Sequence, residues 1–197
     1  FGRLQTCGCH SLPVVKGGEA LRCQVRTDNC YSKWTADLKG LTAARAVFAA
    51  HGARCDELAG EHFEYEEKPP KFTDPATALP AFQGLATCAN WWLSKGVLAW
   101  AQGNKVLAIA SFMQTDRYQR ALLAGSHSLI GLLVSHSVAR RCLQVFTGVA
   151  LHDPSMSAAL LPLLAPLPDA AAAAKRWMVA ESAFQRSVID DVSRSAT

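Results

Sequence analysis

Hydrophobic residues recur along most of this chain at steps of three and four, the spacing that places them on one face of an α-helix. From Ser32 the run Trp34, Leu38, Leu41, Ala44 and Phe48 keeps that step, and Gly52 closes it. The pattern predicts one helix of roughly 18 residues, about 27 Å long at 1.5 Å per residue. A short helix over Arg54–Gly60 is expected next. Pro80 stands where a first-turn proline belongs. Phe82, Leu85, Ala89, Trp92, Leu93, Val97 and Trp100 then line one helical face up to Gly103. Gln102-Gly103-Asn104 reads as a tight turn, and Val106–Leu123 as the next helix, ended by Gly125. Ser126 is the expected cap of a further helix running to about Ala150. Asp153 or Ser155 caps a proline-broken helix after it, and a last helix starts near Pro168-Asp169.

Strand signals are almost absent. The expected fold is all-α: an array of consecutive antiparallel helical hairpins with an irregular, disulfide-rich N-terminal segment. Residues 1–31 form that segment, a Cys-rich cap holding Pro13 and Gly17-Gly18, and residues 32–197 form one helical domain. A long acidic and proline-rich loop interrupts the domain near residues 61–80, and loops of that length are unusual unless they serve a function. "LAWAQGNKVLAIAS" is similar to the tight turn of tetratricopeptide-type hairpins. No period of about 34 residues recurs, so no repeat array is assigned.

The stretch "LLAGSHSLIGLLVSHSVARR" holds two histidines inside apolar sequence. At about 100° per residue, His127 and His136 fall on opposite sides of one straight helix and cannot share a metal or a substrate. His127 falls on the stripe Ile130, Val134, Val138, Cys142 and Val145, and His136 opposite it, near Leu132, Arg140 and Leu143. Apolar residues surround most of this helix, which predicts a central helix packed on several sides.

Half of the 197 residues are hydrophobic and 18% are charged, enough for a sizeable core. A net charge of +4 without a Lys/Arg-rich stripe argues against nucleic-acid binding. No apolar run approaches the roughly 20 residues of a membrane span. The chain opens at Phe1, which reads as a trimmed chain or as a mature form whose signal or anchor has been removed. Membrane attachment is expected only through such a removed segment.

Of the seven cysteines, Cys7, Cys9, Cys23 and Cys30 crowd the first 30 residues. In a secreted or periplasmic chain that density reads as a disulfide clasp, in a cytosolic one as metal binding. Cys7 and Cys9 are too close to pair comfortably with each other. A straight helix keeps Cys30 and Cys55 beyond the roughly 7 Å that a bridge tolerates. Bridges are therefore expected from Cys7 and Cys9 to Cys23 and Cys30, in either connectivity, with at least one of Cys55, Cys88 and Cys142 free. No H-E-x-x-H and no C-x-x-C occurs, so neither a metal nor a cofactor is assigned. Glu66-Glu67 and Asp190-Asp191 read as solvated pairs, and no catalytic residue is assigned.

The candidate partner-binding residues are Glu61, Phe63, Glu64, Tyr65, Glu66 and Glu67, where rings supply area and carboxylates supply steering toward a basic partner. Trp91, about 100° from the core-facing Trp92, is expected to be partly exposed and is a candidate anchor.

The stretch from Leu79 to Arg141 carries a Leu-Pro segment, a Gln-Gly turn and a Ser-x-Ser-Leu-Ile helix in that order. It resembles uncharacterised helical, membrane-anchored or periplasmic proteins of Gram-negative bacteria, over about a third of the chain. Some small helical periplasmic proteins are toxin-immunity proteins. That likeness implies a periplasmic binding protein whose partner is a secreted antibacterial toxin, blocked by occlusion. The alternatives are a helical scaffold or assembly factor of the envelope, and an enzyme or zinc-binding module.

Overall fold

The computed structural model describes residues 19–24, 26–58, 82–166 and 170–195. Among these residues the structure is helical, with no strand. Three short helices lead: α1 (Cys30–Ala36), α2 (Leu38–Val47) and α3 (Ala49–Leu58). Three long ones follow: α4 (Phe82–Ala101), α5 (Lys105–Gly125) and α6 (Leu129–His152). A proline-punctuated segment holds α7 (Ser157–Leu160), and α8 (Ala170–Ser195) ends the chain.

The predicted first helix is three helices, and the expected Arg54–Gly60 helix is replaced by α3. The first break is at Asp37, which ends α1 and caps α2: its carboxylate accepts from Gly40 N at 2.8 Å. An aspartate side chain competing for backbone N–H groups favours caps over helix interiors. Periodicity alone does not register that competition, because the apolar step continues across the break.

The α4–α5 hairpin closes as expected at Gln102-Gly103-Asn104. Gly103 takes φ +79°, a conformation that favours glycine, and Asn104 caps α5 by accepting from Leu107 N at 3.1 Å. In the next connection the cap is Ser128, not Ser126. Ser128 Oγ accepts from Gly131 N at 3.0 Å. Ser126 Oγ instead lies buried, donating to Leu122 O at 2.6 Å and 3.0 Å from Ser135 Oγ. Asp153 caps the turn after α6, as its place before Pro154 predicts.

The core lies among α4, α5 and α6. Phe112 of α5 meets Phe146 of α6 edge-on at 5.4 Å, and Trp92 of α4 meets Tyr118 of α5 at 4.9 Å. Trp34 of α1 is buried beside this core and donates to Ala20 O at 3.0 Å. Gly148 lets α1 lie close to α6, since a Cβ there would overlap the Tyr31 ring. A smaller cluster of Leu123, Leu132 and Trp177 joins α8 to the α5–α6 turn.

Two disulfides tie these layers: Cys23–Cys30 in the N-terminal segment, and Cys55–Cys88 between α3 and α4. Cys23 and Cys30 are thus bridged, but to each other, which corrects the expected partners. Thr27 and Asp28 N–H both donate back to Gln24 O, and the Cα atoms of Cys23 and Cys30 lie 5.5 Å apart, a return that spacing arithmetic did not anticipate. Cys7 and Cys9 lie outside the described residues. Cys142 is a free thiol, and burial pushes its pKa up.

Candidate functional site

The densest polar arrangement joins α2, α3 and α4. Arg45 of α2 lies flat over the Trp91 ring, with Cζ 3.6 Å from the centroid. Its Nη1 donates to Ser94 Oγ at 2.7 Å and to the Trp91 carbonyl. Asp56 of α3 accepts from both indoles, Trp92 Nε1 at 2.8 Å and Trp91 Nε1 at 3.3 Å. Burial brings the Arg45 pKa down to about 10, against the opposing pull of the Asp56 carboxylate. Gly52 permits this arrangement, since a Cβ there would overlap the Trp91 ring. Beside it, the Cys55–Cys88 bridge fixes α3 on α4. Arg45, Ser94, Asp56 and the two indoles bond to one another across three helices, so the arrangement acts as a latch between layers.

A second cluster caps the far end of the bundle. Asp153 pairs with Lys105 at 2.8 Å and accepts from Trp100 Nε1 at 3.3 Å and Ser155 N at 3.1 Å. The Lys105 and Ser155 hydrogen bonds hold the Asp153 carboxyl down to about 2. These contacts close the α4–α5 turn onto the end of α6. A shallow groove of about 430 Å³ between α2 and the end of α4 is lined by aliphatic groups such as Leu38 and Leu98, with Lys39 and Gln102 at its edge. Among the described residues, no three His, Cys, Asp or Glu side chains gather as metal ligands.

The third feature is a face of α6. One side of this helix is buried through Leu132, Val138, Cys142, Val145, Phe146 and Val149. On the other side Leu133, His136, Arg140, Leu143, Thr147 and Leu151 are all exposed. At 100° per residue these six fall within an arc of about 80°. Leu133 is 59% exposed, Leu143 49% and Leu151 80%, three leucines on one side of one helix. The stripe runs about 27 Å from Leu133 to Leu151 at 1.5 Å per residue. Both flanks are occupied. On one, Arg141 Nε donates to Cys23 O at 3.1 Å, while Gln144 accepts from Cys30 N at 3.1 Å and donates to Asp28 O at 3.3 Å. On the other, Leu132 packs against Trp177 of α8. The stripe is therefore an open lane beside the bridged Cys23–Cys30 loop.

This lane sits in the positive part of the chain. Residues 82–166 hold six basic residues (Lys95, Lys105, Arg117, Arg120, Arg140 and Arg141) and two acidic ones, Asp116 and Asp153, while the rest of the chain balances. Both acids are engaged, Asp116 with Arg120 at 2.8 Å and Asp153 with Lys105. Arg140, central in the lane, pairs with no carboxylate among the described residues.

Two expectations are corrected here. Trp91 is buried at 8% exposure, ringed by Arg45, Asp56 and Gly52, and is no exposed anchor. A 100° offset from Trp92 moves Trp91 toward α2 and α3, not toward solvent. The stripe through Ile130 is also only partly buried. Val138, Cys142 and Val145 are in the core, but Ile130 is 41% exposed. A row of four-residue steps drifts about 40° per step around a helix, so its first member leaves the core face. Glu61, Phe63, Glu64, Tyr65, Glu66 and Glu67 lie outside the described residues.

The lane itself was half legible. The angles placed His136, Arg140 and Leu143 on one side, but reading α6 as packed all round hid the exposure of Leu133 and Leu151. Among the described residues, α6 alone is long and apolar enough by length and composition to cross a membrane, with Arg140 and Arg141 inside it. Half of its most apolar window is buried in the protein, as in a core helix.

No protein family, no curated protein and no solved structure matches the chain. The site is therefore read from its own chemistry. Two disulfides fit an oxidising, extracytoplasmic compartment.

Proposed function

We propose that this chain is a periplasmic binding protein that acts as an immunity protein, neutralising a secreted antibacterial toxin by occluding it. The observation that carries this reading is the lane on α6, a long row of exposed leucines on a body braced by two disulfides. A preorganised surface loses little conformational entropy on binding, which suits tight inhibition. Exposed large apolar side chains mixed with polar ones, as Leu133, Leu143 and Leu151 are with His136, Arg140 and Thr147, are the composition of a protein interaction surface. The latch and the Asp153 cluster support the reading because their polar side chains bond chiefly to one another and so brace the body that carries the lane.

The test is survival. Indicator bacteria carrying the chain in the periplasm are challenged with the secreted proteins of its native host, beside cells carrying it in the cytoplasm. Protection confined to the periplasmic strain, and lost with Leu133→Ser/Leu143→Ser, is the expected result. Equal killing of all strains overturns the reading.

A further inference from the structure

We infer that the α6 lane receives an acidic amphipathic helix of a protein partner, with a partner carboxylate seated on Arg140. This rests on the binding reading above and names the partner's chemistry.

The lane's residues recur at helical spacing along about 27 Å, the length over which a partner helix presents leucines at steps of three and four. Its two flanks, the Cys23–Cys30 loop and α8, leave one strip open, and a helix lying along α6 covers it. Charge decides the sign of the partner. The lane has Arg140 at its centre and no carboxylate, in a stretch of the chain with six basic and two acidic residues. A partner bringing carboxylates is steered toward this face and completes Arg140's hydrogen bonding, whereas a basic one is repelled.

A lipid surface fits less well. A helix lying in a membrane interface keeps its basic groups on the polar face, beside an unbroken apolar one. Here His136, Arg140 and Thr147 interrupt the leucines inside the same arc. A second copy fits less well too. Two lanes packed antiparallel about their midpoint, near Cys142, bring the two Arg140 side chains within about 6 Å along the axis, given 1.5 Å per residue. Like charges that close oppose pairing.

The probes are two synthetic 18-residue helical peptides with the same leucine face, one carrying glutamates beside it and the other lysines. Titration is followed by fluorescence anisotropy on the full chain. The expected result is at least tenfold tighter binding of the glutamate peptide. Arg140→Glu should reverse that preference and Leu143→Ser should weaken both peptides, with melting temperature and circular dichroism unchanged. Equal affinity for the two peptides overturns the inference. So does stronger binding to phosphatidylglycerol vesicles than to the peptide, or a dimer in sedimentation that Leu143→Ser dissolves. Tighter peptide binding in Glu64→Lys/Glu66→Lys/Glu67→Lys would name the chain's own acidic segment as the occupant and overturn it as well. The survival assay separates the two levels. Glutamate-peptide binding without protection keeps the lane and removes the immunity reading. Protection that survives Arg140→Glu keeps immunity and removes the lane.

Discussion

Arg45 stacks on Trp91 at 3.6 Å while reaching past the ring to the Trp91 carbonyl, so one side chain holds both faces of the same residue's environment. Stacking of a partly desolvated guanidinium contributes about 1–2 kcal/mol. The hydrogen bonds to charged nitrogen add a comparable amount. Arg45→Ala should therefore lower stability by about 2–4 kcal/mol in urea unfolding. Arg45→Lys should recover only part of it, because an ammonium cannot stack and fork together. Equal stability of Arg45→Ala and the parent would show that the latch bears no load.

The disulfides should differ in weight. In the chain-entropy picture, a bridge closing 33 residues is worth about 4 kcal/mol and one closing 7 about 2, and these are the separations of Cys55–Cys88 and Cys23–Cys30. Cys55→Ser/Cys88→Ser should then melt at a lower temperature than Cys23→Ser/Cys30→Ser. A non-reducing peptide map should show both pairs. Recovery of Cys23 or Cys30 bound to Cys7 or Cys9 would contradict the pairing.

Gly148→Ala should destabilise by roughly 1–3 kcal/mol, the usual penalty of overpacking. The added methyl meets the Tyr31 ring, and α1 must move away from α6. Pairing it with Tyr31→Ala should remove most of that clash, so the two losses should not add. Thermal melts of both single variants and the double one measure the coupling.

The Asp153 carboxyl has a folded pKa of about 2 against an ordinary value of 3.8. A depressed carboxylate pKa contributes stability above the unfolded value, lost as pH falls through the folded one. The contribution of Asp153 should thus be intact above about pH 4 and gone near pH 2. Melting of the parent and Asp153→Asn, compared at pH 6 and at pH 2.5, should show the gap between them narrowing in acid. A gap independent of pH would mean that capping geometry, not charge, is what Asp153 provides.

The fold class was legible because helical periodicity runs through every long element: the α4–α5 turn and the Asp153 cap were found nearly residue by residue. The splitting of the first helix was not, because Asp37 acts through its side chain's grip on Gly40 N while the apolar step continues unbroken. The pairing of Cys23 with Cys30 depended on a turn between them, and Trp91's burial on Arg45 and Asp56, which lie 46 and 35 residues away. Contacts of that range leave no periodic trace. The lane on α6 was written in the sequence as leucines on the side opposite the core, but an apolar residue carries no label saying whether protein or water covers it.

Cys142 sits at the centre of α6 with its sulfur sealed inside the core, next in sequence to the arginine that grips the Cys23 carbonyl. In an oxidising compartment every exposed thiol competes for every other, and an unfolded chain offers Cys142 as a wrong partner to Cys23, Cys30, Cys55 and Cys88 alike. Once the bundle has buried Cys142 it is out of reach of the other sulfurs, so the packing that hides it and the native pairing of Cys23–Cys30 and Cys55–Cys88 favour one another.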